Sequence, residues 1–246
     1  MNRIALMLGS VLALDLLFGS RLLFAQRDGM PAGYPQSLES VLQALLTRVR
    51  EGRPSAAILV QVSSTYFDIA DDLLTDETQR QAAYRAGAEA ARQAFTIDDS
   101  NADAHFFYAA NLGSAERLKG LTNAAMVVKD IKHCALRAIE LNPKHAQALQ
   151  MMGGLLMELP WFLGGDEKKA QEYLERAIAA DGNFTNARLL VAKLYNKQGR
   201  ADAAKRQLKA VLHAENPHYR YAWERTYKPE AELLLRDLEK SRLAAP

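Results

Sequence analysis

Apolar residues recur at helical spacing along almost the whole chain after residue 36, and the alternation typical of strands is missing from the pattern. Turn signals divide the pattern into segments of the length that paired helices need. The predicted fold class is therefore all-α. The pattern predicts helices at residues 38–50, 55–74, 77–96, 102–112, 123–141, 145–158, 167–180, 185–197, 201–213 and 229–241.

Two stretches of the pattern repeat each other. "LRAIELNPKHAQALQMMGGLL" (136–156) aligns with "ERAIAADGNFTNARLLVAKLY" (175–195), since both place Arg-Ala-Ile before a short break and a new apolar helix. This resembles the tetratricopeptide repeat, which has a period of ~34 residues and small residues where its two helices cross. The resemblance implies a tetratricopeptide-like α-solenoid of about four stacked helical hairpins. The matching positions are Ala138, Pro143, Leu149, Met152, Gly153, Leu156, Ala177, Val191, Ala192 and Tyr195.

The spacing of equivalent small residues locates two insertions. Ala177 and Val211 lie 34 residues apart, whereas Ala138 and Ala177 lie 39 apart and Ala94 and Ala138 lie 44 apart. Compared with a period of ~34, the surpluses are about five and ten residues. They fall in "ELPWFLGG" and in "GSAERLKGLTN" (113–123), so the sequence predicts two elongated intra-repeat turns.

A longer likeness covers nearly all of the chain after residue 25. The run from "YRAGAEAARQAF" through "HFFYAANLG" to "LPWFLGGDEKKAQEYLERAI" resembles the T component of TRAP transporters and, more distantly, the eukaryotic regulators of microtubule dynamics. The resemblance implies a periplasmic repeat protein that binds a solute-binding or other partner protein, and it leaves a homo-oligomer open. The chain lacks the lipoprotein cysteine of the usual bacterial member.

The N-terminal residues are set apart by their composition. Residues 1–25 combine a basic start, an apolar run and a small residue before a polar stretch, which predicts a cleaved signal peptide. An uncleaved inner-membrane anchor is the alternative. Residues 26–36 are interpreted as a linker and residues 37–246 as a single helical-repeat domain, so the predicted location is the periplasm.

Charge and cysteine content exclude several functions. A formal net charge of +2 argues against nucleic-acid binding. The single cysteine, Cys134, permits neither an intramolecular disulfide nor a zinc-like cluster, and burial is its expected state. Since Gly-x-Ser-x-Gly, His-Glu-x-x-His and workable Cys–His spacings do not occur, the sequence predicts a non-enzymatic protein without cofactor or metal.

The stretch "MELPWFLGGDEKKA" (157–170) interrupts the helical pattern. Gly-Gly before a helix resembles a phosphate loop, but Asp166 is expected to cap the helix where the phosphate would lie. Two interpretations stay open. In one, Pro160 ends a helix, the glycines permit positive φ, and Trp161 and Phe162 pack over the core. In the other, Trp161 anchors a partner.

Further candidates follow from the repeat resemblance, in which first helices line a concave face. The predicted contact residues on these helices and in the elongated turn are Phe106, Asn111, Gln147, Gln150, Gly154, Met157, Trp161, Phe162, Asn186 and Lys193. At helical spacing His105 and Tyr108 share the buried side and Asn111 lies off it. The aromatic "ENPHYRYAWERTYKPEAELLL" (215–235) is interpreted as a segment packed on the end of the array.

The leading hypothesis for function is an exported scaffold that recruits another protein, as an accessory component of a TRAP-type solute transport system. A carrier of a small apolar ligand is one alternative. A tetratricopeptide-repeat factor in envelope assembly is another.

Overall fold

The computed structural model describes residues 32–52 and 54–243, and it divides them into two compact units. Described residues up to Leu149 form the N-terminal unit, and those from Gln150 form the C-terminal unit. The predicted signal segment and residues 26–31 of the predicted linker lie outside the described residues. The α-helices are α1 Ser37–Glu51, α2 Ala56–Asp68, α3 Glu77–Ile97, α4 Ala102–Leu118, α5 Leu121–Leu141, α6 Ala146–Glu158, α7 Glu167–Ala180, α8 Thr185–Lys197, α9 Ala201–Leu212, α10 Arg220–Ala222 and α11 Lys228–Leu243.

Local sequence accounts for where several helices start. Ser55, Asp76, Asn101 and Asp166 each accept a hydrogen bond on the side chain from a backbone N–H three residues ahead, which satisfies a donor that the first helical turn leaves free. Because the cap residues are readable from sequence, the predicted starts of these helices are correct to within about one residue.

The N-terminal unit is built from neighbouring helices that approach closely. The backbone carbonyl of Gly87 on α3 accepts a hydrogen bond from the Ser63 hydroxyl of α2 at 2.7 Å. A Cβ atom at Gly87 would overlap the carboxamide of Asn111 on α4. Buried Ala91 and Ala94 continue the same face of α3. Small residues on this face therefore let α3 pack closely against both α2 and α4.

The predicted elongated turn at residues 113–123 is wrong. The surplus residues are helical, since α4 continues to Leu118 and only Lys119 and Gly120 separate it from α5. The extension has partners on α3, because the Gln81 side chain donates to the Ala115 carbonyl at 3.2 Å and Arg85 lies 3.6 Å from Glu116. These tertiary contacts, together with the two-residue connection, lengthen both helices instead of the turn.

The C-terminal unit shows the same need for small residues. Gly153 on α6 faces Leu174 and Ala170 on α7, where an added Cβ would lie 2.5 Å from the Leu174 Cγ and 3.0 Å from the Ala170 carbonyl oxygen. Ala177 on α7 is buried as well. The helix-crossing role predicted for Gly153 is confirmed.

The C-terminal aromatic segment packs on α9, as the sequence predicts. Trp223 is buried and its indole N–H donates to the Val211 carbonyl at 2.7 Å. Tyr219 and Tyr227, each four residues from Trp223 in the sequence, are buried as well. Lys228 lies 5.0 Å from the centre of the Trp223 ring, at cation–π distance. The aromatic residues of this segment therefore serve packing.

Two single residues behave as expected. Cys134 is buried, and burial raises the pKa of its thiol to about 11, with further contributions from Asp130 and Asp99. His105 is buried, stacks on Phe95 at 5.0 Å between ring centres, and bonds through Nε2 to the Asp99 carbonyl oxygen at 3.0 Å. Both residues are structural.

Within residues 32–52 and 54–243, none of the helices is both long and apolar enough to cross a membrane.

Substitution of Gly153 by valine is expected to lower the free energy of unfolding by about 1–3 kcal/mol, since the branched side chain overpacks the α6–α7 contact. Gly182→Val is the matched control, because the site is exposed and no other atom lies within 4 Å of an added Cβ. The control is expected to change stability by no more than about 0.5 kcal/mol. Urea unfolding measures both, and equal stabilities would contradict the role given to Gly153.

Candidate interaction site

The connection between α6 and α7 is an ordered, elongated turn, as predicted. Pro160 follows the end of α6, and Trp161–Leu163 form a single 3₁₀ turn. Gly164 has φ of +89°, a backbone conformation that favours glycine. A Cβ at Gly165 would overlap the carbonyl oxygen of Leu159, so this position requires glycine for space.

The turn directs its apolar side chains into solvent. Trp161 is 85% exposed, Phe162 67% and Leu163 51%. The interpretation in which Trp161 and Phe162 pack over the core is therefore wrong. We call residues 161–163 the aromatic tip. Its exposure leaves it available to bind another molecule.

Asp166 has the role predicted for it. Its side chain accepts a hydrogen bond from the Lys169 backbone N–H at 3.0 Å. This bond has the largest effect on the pKa of the Asp166 carboxyl, and together with contacts to the Lys169 side chain it holds that pKa below its ordinary value, although burial opposes the shift. The carboxylate occupies the start of α7, which argues against a phosphate at this position.

Four helices of the C-terminal unit contribute charged side chains to a second surface. Lys193 of α8 lies 2.6 Å from the Glu230 carboxylate of α11, and Lys197 of α8 lies 2.5 Å from the Glu167 carboxylate of α7. Glu158, at the end of α6, interacts electrostatically with both lysines. We call these five residues the charged face.

The environment of Glu158 differs from that of an ordinary surface carboxylate. Partial burial raises the pKa of Glu158, and the nearby charges of Lys193 and Lys197 oppose the shift only in part. Lys193 and Glu230 are also largely covered, with 20% and 31% of their side chains exposed. Charges in such a setting interact more strongly with nearby charged groups than fully solvated ones do.

The structure separates the ten predicted contact residues into two sets. Trp161 and Phe162 are exposed, and Met157 and Lys193 are half-buried. The side chains of these four residues are accessible to a partner, and their assignment as contact residues stays a prediction. The buried residues are Phe106, Asn111, Gln147, Gln150, Gly154 and Asn186.

Asn111 and Phe106 have packing partners in the N-terminal unit. The Asn111 carboxamide donates to the Ser63 hydroxyl at 3.0 Å and to the Phe107 carbonyl at 3.0 Å, so the prediction that Asn111 lies off the buried side is wrong. Phe106 lies 5.1 Å from the ring centre of His145 at the start of α6. A one-dimensional pattern misses these positions because α4 is covered on more than one side.

Sequence reasoning missed several members of both surfaces. Leu163 belongs to the aromatic tip. It could have been predicted from the sequence, because it lies in the uncharged run that follows Pro160. Glu158, Lys197, Glu167 and Glu230 carry no motif. They come from four helices, and only the fold brings them together.

Among the described residues, no group of His, Cys, Asp and Glu side chains is arranged to hold a metal ion.

The class of protein follows from these features and from comparison with known proteins. Residues 163–223 match the tetratricopeptide-repeat family model. The fold resembles that of a thermophilic tetratricopeptide-repeat protein of Thermus thermophilus, with a TM-score of 0.59 and 17% identity over 80% of this chain and 92% of that one. MamA gives a TM-score of 0.50 and 18% identity over 73% of this chain and 90% of that one. The all-α, tetratricopeptide-like fold predicted from the sequence is confirmed.

The family is shown by a second match. Residues 23–160 match the model of regulator of microtubule dynamics protein 1-3, and the chain belongs to this family. Regulator of microtubule dynamics protein 1 of Bos taurus is 28% identical over 177 residues, which cover 64% of this chain and 56% of that protein. The Homo sapiens protein is 29% identical over 154 residues, covering 53% and 48%. The chain thus spans about half the length of the curated relatives it matches.

The two tryptophans are expected to respond oppositely to substitution. Trp161→Ala should change the free energy of unfolding by no more than about 0.5 kcal/mol, because the side chain is exposed. Trp223→Phe should lower it by about 1–3 kcal/mol, because the buried Val211 carbonyl loses its donor. Chemical denaturation of both variants tests this. A Trp161→Ala variant as unstable as Trp223→Phe would place the aromatic tip in the core.

Proposed function

We propose that this chain is an exported, non-enzymatic scaffold that binds a partner protein through the charged face of its C-terminal unit. The observation that carries the proposal is the presence of two neighbouring ion pairs, a largely covered one between Lys193 and Glu230 and an exposed one between Lys197 and Glu167. Charged side chains of this kind form the polar rim of protein interfaces and select partners with complementary charges.

The repeat fold supports a role in recognition. Tetratricopeptide-type repeats present side chains from successive helices on a preorganised surface, so a partner is bound without the cost of ordering a flexible segment. On the charged face those side chains come from α6, α7, α8 and α11. An acidic group of the partner would contact Lys197, whose side chain is 63% exposed, beside Glu167, and Glu158 would face the partner's backbone N–H groups.

The export and the identity of the partner rest on the sequence. Residues 1–25 have the pattern of a signal peptide, and the run around "LPWFLGGDEKKA" resembles the T component of TRAP transporters. The partner we propose is a periplasmic solute-binding protein. In this role the chain is an accessory component of a solute transport system.

The double substitution Lys193→Ala/Lys197→Ala is expected to weaken binding of the solute-binding protein at least tenfold, which corresponds to ~1.4 kcal/mol. The reason is that both cations of the charged face are removed. Isothermal titration calorimetry with the purified partner from the same cell measures the dissociation constant. Raising the salt concentration should weaken wild-type binding more than binding by the double variant.

Lys209→Ala is the matched control, because Lys209 is exposed on α9 and lies outside the charged face. Binding by this variant should equal that of the wild type. Thermal unfolding of all variants shows that the fold is kept. Wild-type affinity in the double variant would contradict the charged face as the site, and failure of the wild type to bind any solute-binding protein of its cell would contradict the proposed partner.

A further inference from the structure

The aromatic tip stands out among the apolar surfaces of the described residues. Seven large hydrophobic side chains are exposed among the described residues, and three of these seven are the consecutive residues of the tip. The other four, Ile97, Met126, Leu136 and Leu233, occur singly along the helices. Scattered exposed hydrophobic residues are normal on protein surfaces, whereas three together at a turn need an explanation.

The tip is held rigidly by its own backbone. The N–H groups of Leu163 and Gly165 donate to the Pro160 carbonyl at 2.9 and 3.0 Å, and that of Gly164 donates to the Trp161 carbonyl at 3.1 Å. Pro160 has no N–H to satisfy. These three donors are paired inside the turn, so they need no partner from water or lipid.

The arrangement of the three side chains decides what kind of partner fits. The Trp161 and Phe162 rings contact each other edge to face, with ring centres 5.9 Å apart and ring planes at 88°. Together with exposed Leu163 they form a protruding apolar group and not a flat patch. A flat protein surface would touch only part of the tip. A lipid interface surrounds the tip and can bury all three side chains.

Charge around the tip is consistent with this environment. Residues 159–165 contain no ionisable side chain. On one side lies Glu158, next to Lys193 and Lys197 of the charged face. On the other side Asp166 lies 3.5 Å from Lys169, and exposed Lys168 has no ion pair with any described residue. An apolar tip with an indole and flanking lysines matches the residue types that prefer the membrane interface and phospholipid phosphates.

We propose that the aromatic tip inserts into the interfacial region of a phospholipid bilayer and docks the repeat scaffold on a membrane surface. The tip enters the headgroup layer with Trp161, Phe162 and Leu163, while Lys168 and Lys169 remain at the level of the phosphates. This site adjoins the charged face in sequence at Glu158 and Glu167 but consists of different residues.

Fluorescence of the full chain with lipid vesicles tests the proposal locally. The chain has two tryptophans, one exposed at the tip and one buried. Vesicles of phosphatidylcholine, and of phosphatidylcholine with three-tenths phosphatidylglycerol, should shift the emission of Trp161 to shorter wavelength. Lipids that carry bromine on the acyl chain near the headgroup should quench the emission of Trp161. In Trp161→Phe the remaining emission, from Trp223, should not respond.

Substitutions then separate the parts of the tip. Phe162→Ala/Leu163→Ala keeps the Trp161 reporter and should weaken its vesicle response at least tenfold in lipid concentration. Met126→Ala/Leu233→Ala removes as many exposed hydrophobic side chains elsewhere and should leave the response unchanged. Lys168→Gln/Lys169→Gln should weaken the response to the vesicles that contain phosphatidylglycerol. The response to pure phosphatidylcholine vesicles should stay unchanged.

The readout is specific to the tip even if other residues bring the chain to the vesicles. One result would overturn the proposal: the protein sediments with vesicles, but the emission of Trp161 and its quenching by acrylamide stay the same. Shielding of Trp161 by the partner protein, and by neither vesicle, would also overturn it and assign the tip to a protein interface. Loss of partner binding at the charged face would leave the vesicle result unaffected, so the two proposals fail independently.

Discussion

Close approach between neighbouring helices is the constraint on which the rest of this structure depends. Gly153 permits it between α6 and α7, where Leu174 and the Ala170 carbonyl leave no room for a Cβ. Gly87 permits it between α3 and α4, where the Asn111 carboxamide fills the space. Since interiors are packed as densely as crystals of small molecules, a larger residue at either position would push the helices apart. This requirement for close approach explains why glycine and alanine recur at the positions where helices cross.

The same constraint explains why the two intra-repeat insertions have different structures. Packing between helices fixes their interior faces, and the residues beyond the crossing adopt whatever their neighbours permit. After Asn111, α3 provides partners for Ala115 and Glu116, so α4 continues to Leu118. After Glu158, Pro160 cannot donate the hydrogen bond that a continuing helix needs, and the surplus becomes an exposed turn.

The consequence for function is that the C-terminal unit carries two accessible surfaces of different chemistry. The charged face combines side chains from four helices and contains two ion pairs, of which the Lys193–Glu230 pair is largely covered. The aromatic tip has no charge, and its turn is closed by three backbone hydrogen bonds to the Pro160 and Trp161 carbonyls. The first suits a polar partner with complementary charges, and the second suits an environment that contacts a protruding apolar turn from every side. A scaffold that binds a protein at a membrane surface would use both.

The sequence by itself determined the helical class, the repeat and most helix boundaries, because helical periodicity, caps and small residues at crossings are local or regularly spaced signals. It also determined the cap at Asp166 and the burial of Cys134. Only the tertiary structure decided that Asn111 is interior and that Trp161 is exposed, since each depends on which surfaces neighbouring helices cover. The charged face could not be predicted for the same reason. Glu158, Lys193 and Glu230 are far apart in sequence, and their meeting is a property of packing between helices.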